Sequence, residues 1–119
     1  MTHAFTSYVA IGDSFTEGVG DEVSGGRVRG WADLVAQGLA LASSDPVTYA
    51  NLAIRGRLLE PIVVEQAPAA IALRPALVSF NGGGNDMLRP RVDIARVADR
   101  LLETAHLIAA SGAHVLLLS

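Results

Sequence analysis

Strand-like apolar runs alternate with helix-like amphipathic stretches along the chain, and that alternation predicts an α/β fold built on a parallel sheet with right-handed crossovers. Two further observations sharpen the expectation. The strand-like runs are short and apolar on both faces, as strands covered by helices on both sides must be. Polar or glycine-rich turns at 12–20, 55–57 and 81–86 each follow such a run. Ligands of open parallel sheets bind beyond the carboxyl ends of the strands, so these three turns are expected on one rim.

Residues 7–13, Ser-Tyr-Val-Ala-Ile-Gly-Asp, form the first predicted strand. Residues 15–30 follow with Gly18, Gly20, Gly25, Gly26 and Gly30 among several charges, too rich in glycine for regular structure and as long as a functional loop. Trp31, Leu34, Val35, Leu39 and Ala42 recur at helical spacing and predict a helix over 31–42. Asp45-Pro46 breaks the pattern before Val47 to Ala53, a second strand that finishes near Arg55-Gly56. Residues 58–73 favour helix, but Pro61 and Pro68 lie inside them. An interior proline removes a hydrogen bond and clashes with the preceding turn, so two short helical pieces are expected, each starting near a proline.

Beyond Pro75, Ala76 to Phe80 reads as the third strand and leads into a loop, Asn81-Gly82-Gly83-Gly84-Asn85-Asp86. Ile94, Val97, Leu101, Ala105 and Ile108 mark a helix over 93–111, with Gly112 placed for a left-handed cap. His114 to Leu118 is the fourth strand. Its run Val115-Leu116-Leu117-Leu118 is apolar on both faces and reads as an interior strand.

Composition narrows the chemistry. The chain of 119 residues is one domain by length, and with half of them hydrophobic and 18% charged it is not a disordered segment. A net charge of −3 provides no electrostatic footprint for nucleic acid. With no cysteine, a disulfide scaffold, a thiolate metal site and a thiol nucleophile are all excluded. His3, His106 and His114 lack the spacing that puts metal ligands on one helix face, so no metal is expected. No apolar run is long enough to span a membrane and no signal region opens the chain, which predicts a cytoplasmic protein.

The first turn reads Ala10-Ile11-Gly12-Asp13-Ser14-Phe15-Thr16-Glu17-Gly18, the second strand ends Asn51-Leu52-Ala53-Ile54-Arg55-Gly56, and the third turn holds Gly83-Gly84-Asn85-Asp86. These segments resemble, in order, the first three blocks of the SGNH hydrolases, also called GDSL-type esterases and lipases. A single Gly-Asp-Ser is a weak signal, whereas three blocks in order, each after a predicted strand, are a specific one. The resemblance covers essentially the whole chain as the N-terminal portion, residues 1–119, of one hydrolase domain. It implies a three-layer, flavodoxin-like parallel sheet with helices on both faces. It also implies ester or thioester hydrolysis without cofactor or metal, with Ser14 as nucleophile. The oxyanion donors it implies are the backbone N–H groups of Ser14 and Gly56 and the side-chain amide of Asn85, with Asp13, Gly83 and Asp86 in support.

Each residue type suits its implied role. A serine hydroxyl splits one hard displacement into two acyl transfers. Glycine at 56 would permit close backbone approach to substrate. An asparagine amide donates without titrating. Asp13 and Asp86 read as makers of turn-stabilising hydrogen bonds. Gly82 to Gly84 fails as a dinucleotide cradle because Met87 occupies the last glycine position of that pattern. The elbow of the α/β-hydrolases is also absent, since Thr16 stands at its final glycine. Arg89 and Arg91 read as solvated.

The family takes its catalytic base from a late Asp-x-x-His block, and no Asp-x-x-His occurs in this sequence. His106 falls off the apolar stripe of its helix, while His114 and His3 sit at the opposite ends of their strands from Ser14. The sheet is therefore expected to be truncated after the fourth strand, with a second chain or a swapped copy as one way to complete it. The reading from another class is a non-catalytic flavodoxin-like binding module that keeps the rim but not the reaction.

Overall fold

The computed structural model describes residues 5–13, 16, 31–43 and 45–118. Its strands are β1 (Ser7–Ile11), β2 (Thr48–Asn51), β3 (Leu77–Asn81) and β4 (His114–Leu118), paired in the order β2-β1-β3-β4. Every pairing is parallel, with Tyr8 opposite Tyr49, Val9 opposite Val78 and Leu77 opposite His114. Its helices are α1 (Trp31–Ala42), α2 (Leu59–Pro61), α3 (Ala67–Ala72), α4 (Gly84–Met87) and α5 (Ile94–Ala110), and a π-helical segment, Ile62–Gln66, joins α2 to α3.

Strand alternation sends successive side chains of β1 into two different cores. Val9 and Ile11 face one way with Val78 and Phe80, against Leu59, Ile62, Val63, Ala67 and Ala70 and against Val97, Ala105 and Ile108 of α5. Tyr8 and Ala10 face the other way with Leu77, against Ala32, Val35 and Leu39 of α1. Helices thus cover both faces, as the sequence predicts. Burying a Val, Ile or Phe side chain stabilises by about 1.5–3 kcal/mol relative to leaving it in water, so the two doubly buried strands anchor the fold. Every residue of β3 is buried, and so is β1 from Tyr8 to Ile11.

The long helices match their predicted spans, α1 at 31–42 and α5 within one residue of 93–111. Asp93 caps α5 by accepting from the Arg96 N–H at 3.1 Å, and Gly112 after its end has φ of 107°.

Three expectations need correction. Residues 59–72 run as one helical stretch instead of two pieces. Pro61 falls in the first turn, where its missing N–H costs nothing. Pro68 has no N–H to give to the Val64 carbonyl, and just before it the helix widens, the Ala67 N–H bonding back five residues to the Ile62 carbonyl. Second, Asn81 belongs to β3, and the glycine run after it coils into α4, where a loop was expected. Gly83 takes φ of 93° and its carbonyl accepts from the Met87 N–H at 3.0 Å. Third, β2 is shorter than 47–53, because the Asn51 side chain accepts from the Ala53 N–H at 3.1 Å and turns the chain out of the strand.

β4 lies at an edge of the described sheet, where its apolar run suggested an interior strand. Leu116 and Leu117 remain 42% and 37% exposed there. Among the described residues, no helix is long and apolar enough to cross a membrane.

Candidate active site

Parallel pairing puts the carboxyl ends of β1, β2 and β3 side by side, so the three motif-bearing segments leave the sheet on the same rim. Ser14 lies outside the described residues, together with Phe15, residues 17–30 and His3. Gly12, Asp13 and Thr16 around it are described, and they are tightly held.

Gly12, the first residue past β1, meets Gln66 of the π-helical segment through both sides of its backbone. Its N–H donates to Gln66 Oε1 at 2.8 Å, and Gln66 Nε2 donates to its carbonyl at 3.0 Å. The same carbonyl accepts from the Ile54 N–H, just past β2, at 3.1 Å. On the β3 side a Cβ at position 12 would overlap the Asn81 side chain and come within 2.8 Å of the Asn81 carbonyl oxygen. Only glycine fits that gap.

Asn81 ends β3 with its amide turned to the first turn. Its Nδ2 donates to Asp13 Oδ1 at 3.0 Å, and its Oδ1 accepts from the Thr16 hydroxyl. Thr16 in turn gives its N–H to the Asp13 carbonyl at 3.1 Å, and its own carbonyl accepts from Asn51 Nδ2 at 3.0 Å. Asp13, Thr16, Gln66 and Asn81 are all buried. Such polar groups stay inside only because they are paired.

The second and third segments touch through Asn85, whose Nδ2 donates to the Arg57 carbonyl at 3.0 Å. That bond uses one of the two amide hydrogens and fixes the plane of the other. Gly56 is exposed with φ of 73°, and no described atom lies within 4 Å of where its Cβ would be. The left-handed backbone at 56 favours glycine in its own right, beside the room for substrate expected from sequence. Asp86 Oδ1 accepts from the Leu59 N–H at 2.8 Å and so closes the start of α2, whose own N-cap residue Leu58 contributes no side-chain bond. Gly83 is buried, and its absent Cβ leaves room for Val97 of α5.

The described histidines stand elsewhere. His114 opens β4 at the amino end of the sheet, edge-on to Phe5 with ring centres 5.2 Å apart. His106 is exposed on α5 and lines an apolar groove with Val63, Val64 and Leu107. Arg89 and Arg91 are exposed, the latter with φ of 62°. No three His, Asp or Glu side chains gather as a metal site among the described residues.

The residues that sequence reasoning missed are Gln66, Asn81, Asn51 and Thr16. A signal existed for the first: Gln66 is the polar member of the otherwise apolar set Ile62, Val63, Ala67 and Ala70 that one helical face buries. A polar residue on such a stripe asks for a partner.

The sequence model of the GDSL-like lipase/acylhydrolase family matches residues 10–119. No curated protein matches the chain. Among solved structures, the chain is 32% identical to TesA, with a TM-score of 0.78 over 95% of this chain and 59% of that one. It is 19% identical to the psychrotrophic esterase EstA from Pseudoalteromonas sp., with a TM-score of 0.70 over 94% of this chain and 58% of that one. Against Axe2, an acetyl xylan esterase from Geobacillus stearothermophilus, the values are 20% and 0.73 over 93% and 58%. The chain thus spans slightly less than three-fifths of each of these structures.

Proposed function

From the premise that the chain belongs to the GDSL-like lipase/acylhydrolase family, we propose that it carries the nucleophile and oxyanion half of a serine ester hydrolase acting on carboxylic esters or thioesters. Ser14 is the nucleophile. Its N–H, the Gly56 N–H and the Asn85 amide receive the oxyanion. The observation that carries this reading is the Asn85 bond to the Arg57 carbonyl, which ties the third segment to the residue after Gly56. Two of the three donor-bearing segments are therefore held together before substrate arrives, as a preorganised oxyanion site requires. The names of EstA and Axe2 as esterases support the reaction class.

The chemistry runs through the side chains of this chain up to one step. Serine attack on the acyl carbon forms a tetrahedral oxyanion, the leaving alcohol or thiol departs, and water releases the acyl group from Ser14. Among the described residues no histidine stands at the rim to take the serine proton, His106 and His114 both lying away from it, and the sequence has no Asp-x-x-His. The 119-residue chain on its own is accordingly expected to hydrolyse no p-nitrophenyl ester in a Ser14-dependent way. The decisive experiment treats the protein as encoded with a fluorophosphonate, comparing wild type with Ser14→Ala. Label that disappears on substitution supports the reading, and label that is absent or survives the substitution overturns it.

A further inference from the structure

Three groups of side chains converge on the segment 12–16 from different elements. Gln66 comes from the helical layer, Asn81 from the end of β3, and Asn51 from the end of β2. Each fixes a residue that flanks Ser14 in sequence: Gly12 by Gln66, Asp13 and Thr16 by Asn81, Thr16 by Asn51. Asn51 and Asn81 sit on strands, where their placement follows from the sheet. Gln66 does not, and its placement needs the widened helical turn that ends at Ala67.

Gln66 is suited to the task in two ways. A primary amide carries its donor and its acceptor on two separate atoms and titrates at neither, so it matches both the N–H and the carbonyl of a single residue. Its burial also matters. At 4% exposure the two bonds to the Gly12 backbone act in a low-dielectric setting where their direction is well enforced.

We infer that Gln66 is a positioning residue for the hydrolytic reaction, its amide clamping Gly12 from the helical side while Asn81 clamps Asp13 and Thr16 from the strand side, so that the chain before and after position 14 is held in place. The inference rests on the proposed role of Ser14. It goes further by assigning function to a residue outside the three motif segments. It also gives the π-helical turn a purpose beyond admitting Pro68: the turn brings a polar side chain onto a face that otherwise buries Ile62, Val63, Ala67 and Ala70.

A displaced nucleophile or oxyanion donor harms the transition state more than substrate binding, and a misplacement of about 1 Å is enough to cost about a hundredfold in rate. The test uses the protein as encoded and measures kcat, KM and the rate of fluorophosphonate labelling at a temperature where every variant is folded. Gln66→Met keeps the length of the side chain and removes both bonds, and Gln66→Glu serves as a second variant should the first fail to fold. Ile108→Val, in the same core but away from the rim, is the control for general loosening. The expected result is a loss of roughly ten- to a hundredfold in kcat and in labelling rate for the Gln66 variants, KM within about twofold, and wild-type rates for Ile108→Val. Wild-type rates in the Gln66 variants would overturn the inference and leave Ser14 as nucleophile untouched. Equal losses in Ile108→Val would overturn it as well, since loosening of the core would then account for the effect. A wild type that takes no label overturns the Ser14 reading itself and this inference with it.

Discussion

Two polar systems, one buried and one partly so, sit in the same sheet and are built on opposite logic. On the α1 face, the Tyr8 hydroxyl bonds Ser79 Oγ at 2.6 Å, Tyr49 donates to Asp33 of α1 at 2.7 Å, and the two rings stack with centres 5.3 Å apart. Those bonds join side chain to side chain, mid-strand, and hold a helix to a sheet. At the carboxyl rim, Gln66, Asn81 and Asn51 instead bond the backbone and side chains of a short turn past the end of β1. The aromatic system can lose one partner and keep its packing. The described rim residues Asp13 and Thr16 are polar and buried, so losing a partner there leaves a polar group unsatisfied. Strength of bonding alone therefore does not mark a functional region; what distinguishes the rim is that its bonds are directed at residues adjoining a candidate nucleophile.

That contrast can be broken by substitution, and the largest effect belongs to Gly12→Ala. A methyl group there would overlap Asn81, and at φ of 151° the backbone also disfavours a side chain. A loss of about 3 kcal/mol or more is expected in the denaturant unfolding of the chain. A midpoint near wild type would show that the rim yields as readily as a surface turn.

Next in size is Asn85→Ala in the protein as encoded. Loss of an oxyanion donor lowers kcat by about a hundredfold or more, with a smaller change in KM. The bond to Arg57 is partly exposed to solvent, so little change in thermal midpoint is expected. An unchanged kcat would take Asn85 out of the oxyanion site.

The smallest effect lies on the aromatic side and depends on pH. Burial foremost, and then the bond to Asp33, raise the Tyr49 hydroxyl above its ordinary value of 10.0, and burial raises Tyr8 in the same direction. A proton held more tightly in the folded state stabilises fully below the unfolded value and is lost as pH rises through the folded one. Stability should accordingly fall as pH climbs above about 10, the ordinary phenol value. Tyr49→Phe should cost about 1 kcal/mol at neutral pH and flatten that alkaline slope. Urea midpoints measured between neutral and strongly alkaline pH decide it, and an unaltered slope would show that Tyr49 carries none of the dependence.

The fold was legible to a large extent because its signals are local. Buried strands bounded by glycine and proline, the stripe from Trp31 to Ala42, and Gly112 past the end of the last helix each depend on residues near in sequence. The motif segments were legible for a related reason, since each lies directly after a strand and the parallel sheet does the gathering. What failed was the stretch from 58 to 73, where two prolines outweighed the apolar face in the reading. Tertiary packing of Ile62, Val63, Ala67 and Ala70 against β1 and β3 reverses that balance and holds the helix together through a widened turn.

By itself, then, the sequence determined the α/β class, the order of elements, and the three segments that meet at one rim, because apolar periodicity and turn chemistry are written over spans of a few residues. Only the tertiary structure decided what holds that rim in place. Gly12 and Gln66 are 54 residues apart, and Asp13 and Asn81 are 68 apart. A hydrogen bond between groups so distant is specified by neither residue's surroundings in the chain. It exists because burying the apolar faces of β1, β3 and the helical stretch also buries those polar groups together, where pairing with each other keeps them satisfied.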